Sequence, residues 1–258
     1  MSFRLAMIQM EVLGGDFSKN LAIAEALIAE AAKNGADIAL LPEALDVGWT
    51  DPSSAEMAGE IPGGLAFRKL AESAAKSGIY VCGGLTEKKE GTVYNSAVLI
   101  DDSGTLQLKH RKVNELDIAR EFYQVGDRLG VVQTRFGSIG LMICADAFVD
   151  GQVISRTLGC MGADIILSPC AWAVDADHDN LTDPYGQLWL DSYQPVAREF
   201  GLWIAGASNV GLITGGPWKG RKCIGCSMVV GAKGDLVALA PYGETAESIL
   251  YVDLPAPR

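Results

Sequence analysis

Three residues far apart in the chain have types that together can build a nucleophilic centre: Glu43 in ADIALLPEALDVGW, Lys112 in LQLKHRKVNELD and Cys144 in SIGLMICADAF. A cysteine that attacks carbon needs a base for its proton, ordinarily an imidazole, and the chain has only His110 and His178. A glutamate desolvated beside a lysine and a thiol can do that work instead. It takes the sulfur's proton and returns it to a leaving amine, while the ammonium supports a developing oxyanion. Each residue also has a plainer reading. Cys144 can be one more buried small hydrophobe, Glu43 the start of a solvated loop, and Lys112 part of a basic edge strand.

The neighbouring elements decide between these readings, because each residue stands at the end of a strand-like run. Segments rich in Val, Ile and aromatics predict strands at 3–10, 37–42, 79–86, 93–101, 106–113, 131–135, 138–144, 164–169, 202–208, 226–231, 235–240 and 249–253. Helical spacing predicts helices at 17–34, 65–77, roughly 150–161 and 186–199, the first with Asp16 as N-cap and Gly35 as its stop. Alternation along 106–113 puts Lys109, Arg111 and Val113 on one face and His110 and Lys112 on the other. Cys144 directly precedes a helical pattern, where backbone N–H groups favour a thiolate. Strand after strand within 79–144 breaks any simple βαβ repeat, so the expected fold is a mixed α/β sandwich in one domain spanning 1–258.

Composition narrows the function classes. A net charge of −11 repels nucleic acid and anionic membrane surfaces, so neither is an expected partner. No apolar run approaches the roughly 18 residues that span a bilayer, and the N-terminus enters a strand pattern at once. The chain is therefore read as soluble and cytoplasmic, without a cleaved signal. Its six dispersed cysteines read as free thiols rather than a disulfide framework.

The three segments occur in the order and spacing of the nitrilase superfamily of carbon–nitrogen hydrolases, which the chain resembles. RLAMIQM is similar to that family's first strand, YNSAVLID to its Tyr-Asn-Ser strand, and ASNVG and GCSMVVGAKGDLV to later strands. The resemblance implies a four-layer α-β-β-α sandwich of two mixed sheets flanked by helices, and a homodimer or higher homo-oligomer assembled through helices. It implies covalent hydrolysis of a small non-peptide amide, with Cys144 as nucleophile and Glu43 as base and then acid. Lys112 and the N–H of Ala145 would hold the oxyanion, with no metal or cofactor. It also implies a second pocket glutamate, for which Glu121 in REFYQVGD matches better than Glu115. Asp146 is kept from the family motif as a substrate-binding residue, while Trp49 and Trp172 read as pocket or core aromatics that could line the pocket and Trp189 as a core residue.

The departures from the family pattern bear on substrate. After Asp146 the chain lacks the arginine of Cys-x-Asp-x-Arg, which in N-carbamoyl amino acid hydrolases clamps a carboxylate, and the Pro-Glu that follows it. The Trp-Glu pair of true nitrilases is also missing, so amides rank above nitriles and carbamoyl substrates. The acidic loop 175–183 imitates a calcium loop without its glycine and bidentate glutamate, and reads as a turn that favours neutral or cationic amides. Acyl transfer on the same scaffold stays open. A thiol metal or redox module resting on Cys223-x-x-Cys226 is the reading from another class, although strand alternation through Cys226 would separate the two sulfurs.

Overall fold

Alternation along the first strand decides how the layers stack. In the computed structural model, which describes residues 2–255, β1 (Ser2–Gln9) turns Leu5 and Met7 toward one core and Ala6 and Ile8 toward another. Each face of the strand therefore needs a cover. On the Ala6 side lie α1 (Phe17–Lys33) and α3 (Leu65–Ser77), which bury Leu21, Ala24, Ile28, Leu70 and Ala74. The expected cap is present: the Asp16 carboxylate accepts from the N–H of Lys19.

Between these helices run β2 (Ile38–Leu40) and a single-turn helix, α2 (Ser54–Met57). After α3 come β3 (Tyr80–Lys89), β4 (Thr92–Ile100) and β5 (Leu106–Arg111). The second half has β6 (Val131–Thr134), β7 (Gly137–Leu141), α4 (Val153–Cys160), β8 (Ile165–Cys170) and β9 (Ala173–Val174). Then follow α5 (Gln187–Phe200), β10 (Trp203–Ser208), β11 (Val210–Leu212), β12 (Lys222–Ile224), β13 (Met228–Val230), β14 (Leu236–Leu239) and β15 (Ser248–Pro255).

One six-stranded sheet has the order β15-β1-β2-β3-β4-β5, with β1, β2 and β3 parallel and the outer pairs antiparallel. The other has the order β14-β13-β10-β8-β7-β6, with a parallel centre of β7, β8 and β10. Leu5, Met7, Leu40 and Leu99 of the first sheet join one core with Ile139, Leu141, Ile165 and Leu167 of the second. Helices α4 and α5 cover the second sheet's outer side, contributing Leu158, Val196 and Ala197. Two mixed sheets between two helical layers make the α-β-β-α sandwich. Residue 1 and residues 256–258 of the expected 1–258 unit lie outside the described residues.

Several boundaries differ from expectation. The strand expected over 138–144 ends at Leu141, because the Asp146 carboxylate captures the N–H of Ile143 at 2.9 Å and Cys144 adopts φ +42°. The helix expected from 150 begins at Val153, since Gly151 and Gln152 both have positive φ. Cys226 lies outside the strand expected over 226–231, with φ +59°, while the N–H of Ser227 turns to the side chain of Gln9. A third sheet, β11-β12-β9, escaped prediction because its strands of two or three residues offer no period to read.

Candidate active site

Three strand ends meet at one cavity of about 200 Å³, and its wall includes Glu43, Lys112 and Cys144. Glu43 follows β2, and its own N–H donates to the carbonyl of Cys170 at 3.1 Å, across to the end of β8 in the other sheet. Its backbone lies so close to β3 that a Cβ on Gly84 would stand 2.6 Å from the Glu43 Cα. A glycine is required there by the close approach, since backbone cannot yield as a side chain can. Lys112 is the first residue beyond β5, and its N–H donates to the carbonyl of Asn95 at 2.8 Å.

The polar contacts of the cavity floor concentrate on one oxygen. Glu43 Oε1 accepts from Lys112 Nζ at 2.7 Å and from Asn95 Nδ2 at 2.7 Å, and all three side chains are buried. Asn95 belongs to the YNS segment of β4, but only the tertiary structure shows its contact with Glu43. The Glu115 carboxylate lies 3.8 Å from Lys112 Nζ. Burial, with the nearby charges of Glu43 and Asp146, pushes Glu115 up to about 8 against the pull of Lys112. Burial acts to lower Lys112, but the carboxylates of Glu43 and Glu115 prevail and hold it above its ordinary value as a cation.

The choice between the two candidate second glutamates is thereby reversed. Glu121 is exposed and takes no part in the cavity wall, whereas Glu115 is buried beside Lys112. The short 3-10 turn Asp117–Ala119 carries the chain away between them. Motif spacing to Gly126 points to Glu121; burial beside Lys112, which that spacing does not encode, points to Glu115.

Cys144 opens the 3-10 turn Cys144–Phe148 in the left-handed region, a conformation that costs a non-glycine residue on the order of 1–3 kcal/mol. Its N–H donates to Ser168 Oγ at 3.2 Å. Ala145 follows in the first turn, where backbone N–H groups have no intrahelical acceptor, and its carbonyl accepts from Asn114 Nδ2 at 2.7 Å. Burial holds the Cys144 thiol well above its ordinary value, with the Cys170 thiol and Glu43 pushing the same way and Lys112 opposing. Any pull toward a thiolate from the backbone N–H groups of the turn works against that burial.

Asp146 does not touch the cavity, contrary to its expected substrate-binding place. Its Oδ1 accepts from the N–H groups of Val113 and Asn114 at 3.1 and 2.7 Å, and its Oδ2 from Ile143 N–H at 2.9 Å. His110 Nε2 lies 2.8 Å from the same Oδ2, and both side chains are buried. His110 shares the inward face of β5 with Lys112, as alternation required. One carboxylate thus ties the segment after Lys112 to the turn that carries Cys144.

The rest of the wall is aromatic and aliphatic. Trp172 stacks on Trp189 with centroids 4.6 Å apart, and Trp49 meets Trp218 edge-on at 4.8 Å, 5.6 Å from Lys112 Nζ. Trp49 and Trp172 stand where expected, while Trp189, read as core, is both buried and part of the wall. Phe148, Tyr185, Leu188 and Trp218 also line it, with Leu116, Ala171 and Ala173, and none of these was singled out from the sequence. Among the described residues the only charged side chains of this wall are Glu43 and Lys112. Asp175, Asp177 and Asp179 are exposed outside it, and Asp175 pairs with Arg221 at 2.8 Å.

Residues 4–258 match the carbon-nitrogen hydrolase family. The chain is 32% identical over 257 residues to a nitrilase from Pyrococcus abyssi, covering 97% of this chain and 90% of that protein. It is 31% identical over 270 residues to an omega-amidase from Bos taurus, covering 98% and 88%. Among solved structures it is similar to an amidase from Nesterenkonia sp., with TM-score 0.82, 22% identity and coverage of 98% and 90%. A further similar structure is that of Saccharomyces cerevisiae Nit3, with TM-score 0.83, 22% identity and the same coverages. With that family match across nearly its whole length, the chain belongs to the carbon-nitrogen hydrolases of the nitrilase superfamily, a class of cysteine-dependent enzymes.

Proposed function

We propose that the protein hydrolyses small uncharged amides through a thioester on Cys144. The observation that carries this reading is the cavity itself, an apolar, aromatic chamber whose only charged groups among the described residues are Glu43 and Lys112. Nothing in that wall matches a substrate's distant carboxylate or ammonium, so the acyl group it suits is apolar.

In the proposed sequence Glu43 Oε1 is held by Lys112 and Asn95, which leaves Oε2 for the proton. Oε2 takes the Cys144 proton as sulfur attacks the amide carbon. The oxyanion that forms is held by Lys112 Nζ and the Ala145 N–H. The C–N bond breaks as Glu43 returns the proton to nitrogen, and ammonia or an amine leaves. Glu43 then deprotonates water, whose oxygen attacks the thioester; the C–S bond breaks, the acid departs and the proton returns to sulfur. Glu115 lies beside that ammonium at 3.8 Å. None of these steps calls on a metal or an organic cofactor.

A second reading is an amide whose acyl chain ends in a carboxylate. The cavity disfavours it, because among the described residues Lys112 is the only cation of the wall and Glu43 already pairs with it. An ammonia assay across a panel of neutral, anionic and cationic amides of equal length should show kcat/KM highest for a neutral apolar amide. Higher kcat/KM for the anionic member would remove the uncharged-substrate reading. Cys144→Ala should release no ammonia while keeping its melting temperature; retained turnover would falsify the mechanism.

We also infer that a single hydrolase unit spans 1–258 and that two copies associate through the α4 side. Support for the latter comes from Val153 and Met161, 53% and 47% exposed at either end of α4. No helix among the described residues is long and apolar enough to cross a membrane. The six unpaired cysteines support a reducing compartment such as the cytoplasm.

A further inference from the structure

The outward face of β5 carries a feature that amide hydrolysis does not use. Lys109 and Arg111 point away from the active site there, and with Lys89, Arg128 and Asp127 they line a second cavity of about 230 Å³. In a chain of net charge −11, a cavity whose wall is four cations and one carboxylate runs against the charge of the whole molecule.

Two of these cations are already held in place. The buried Glu87 accepts from Lys109 Nζ at 2.6 Å and from Arg111 Nη2 and Nε at 2.7 and 2.9 Å. Ser96 Oγ fills its remaining demand at 2.6 Å. Burial pushes Glu87 up, but the bonds from Arg111, Lys109 and Ser96 prevail and bring it down to about 2, so it is a fixed anion at every physiological pH. The Arg111 guanidinium also stacks on the Tyr94 ring at 3.8 Å. Glu87 engages Arg111 through Nε and Nη2, which leaves Nη1 as a donor on a rigid support. Lys89 and Arg128 are exposed, and the one ion pair of Arg128 among the described residues is with its neighbour Asp127, at 3.9 Å. Counting Glu87 and Asp127 against the four cations leaves a surplus of about two positive charges.

We propose that this cavity is a binding site for a dianionic phosphoryl group. Its charge matches the surplus, and its tetrahedral oxygens accept from a planar guanidinium and separate ammonium groups together. The site stands behind the catalytic strand rather than in the hydrolytic chamber. The loop bearing Asp127 and Arg128 is fastened to that strand's end, since the N–H of Gly126 donates to the Lys112 carbonyl at 2.8 Å. A bound phosphate would therefore brace the backbone from which Lys112 projects.

Calorimetric titration and thermal melting with inorganic phosphate, at ionic strength held constant with chloride, test the proposal without any turnover. Saturable binding and a rise in melting temperature are expected. The double substitution Lys89→Ala and Arg128→Ala, both exposed and outside the catalytic chamber, should weaken binding at least tenfold and leave the melting temperature in chloride unchanged. Glycerol phosphate run in parallel separates the sources, with tighter binding of the ester indicating an organic phosphate and equal binding indicating the free ion. A phosphate response no larger than that to chloride, or one that survives the double substitution, overturns the site.

Discussion

Glu115 and Asp146 are two buried carboxylates in one small region, and their surroundings make opposite demands on a proton. Neither Glu115 oxygen has a hydrogen-bond partner among the described residues, and burial lifts the group to about 8. Its unfolded value is near the ordinary 4.5, so the folded state binds the extra proton between the two values and stability falls as pH rises through that window. Asp46, pushed up to about 6 by burial, contributes with the same sign at lower pH, which leaves about pH 6 to 8 to Glu115. There the unfolding free energy should fall by up to about 1.4 kcal/mol per pH unit. Glu115→Gln should flatten that slope in urea titrations; an unchanged slope would place the proton elsewhere. Asp146 is the opposite case. It is held below its ordinary value because the bonds and charge of His110, with the backbone N–H groups, overcome its burial. Asp146→Asn sets an amide N–H against donors that need an acceptor. The expected cost is about 3–5 kcal/mol in denaturant unfolding. A kcat loss of roughly a hundredfold with KM little changed should accompany it, because Lys112 and Cys144 lose their common tie.

β5 does two jobs because a strand has two faces. His110 and Lys112 turn inward to Asp146 and Glu43, while Lys109 and Arg111 turn outward to Glu87. A one-residue slip would exchange the sets and place two cations against the wrong partners, so the β4–β5 register is specified by charge as well as by apolar packing. β3 faces a tighter constraint at Gly84. Gly84→Ala would bring a methyl group to 2.6 Å from the Glu43 Cα and 2.8 Å from the Ala44 nitrogen, both backbone atoms. That substitution should cost about 1–3 kcal/mol and move Glu43 off its partners. Assayed on the best amide, kcat should fall more than tenfold. Activity equal to wild type would show that the β2 end yields without disturbing the carboxylate.

Across the whole molecule, the two sheets share one plan, a parallel three-stranded centre flanked by antiparallel strands. The candidate site draws on both. The first sheet supplies Glu43 and Lys112 from the ends of β2 and β5, and the second supplies Cys144 from the turn after β7. The inter-sheet core is what holds Glu43 and Cys144 in register, so its loosening should cost activity before it costs secondary structure. The outer face of α4 is the surface to probe for self-association. Val153→Asp with Met161→Asp places two charges on that face, and the solution mass by light scattering should drop from a dimer to a monomer. A mass that stays dimeric moves the interface elsewhere.

Much of the site was legible because chemistry and periodicity agree locally. A glutamate after a buried strand, a lysine on the inward parity of a basic strand and a cysteine closing an apolar run are readable one segment at a time. So were most strands and all the long helices, including the helix over 65–77. What escaped depends on distance through space. Asn95 and Glu43 are 52 positions apart and yet joined by a hydrogen bond. Glu115 gains its place over Glu121 from burial, which no spacing encodes. Cys144 and Cys226 left their expected strands because side-chain oxygens of Asp146 and Gln9 captured neighbouring backbone N–H groups. The amino-acid sequence alone determined which groups are available for chemistry and which strands carry them, because side-chain type and alternation are local. The folded chain decided which carboxylate stands by Lys112, which aromatics form the chamber and which way the Cys144 thiol is shifted, because burial and electrostatic neighbours exist only after the sheets pack.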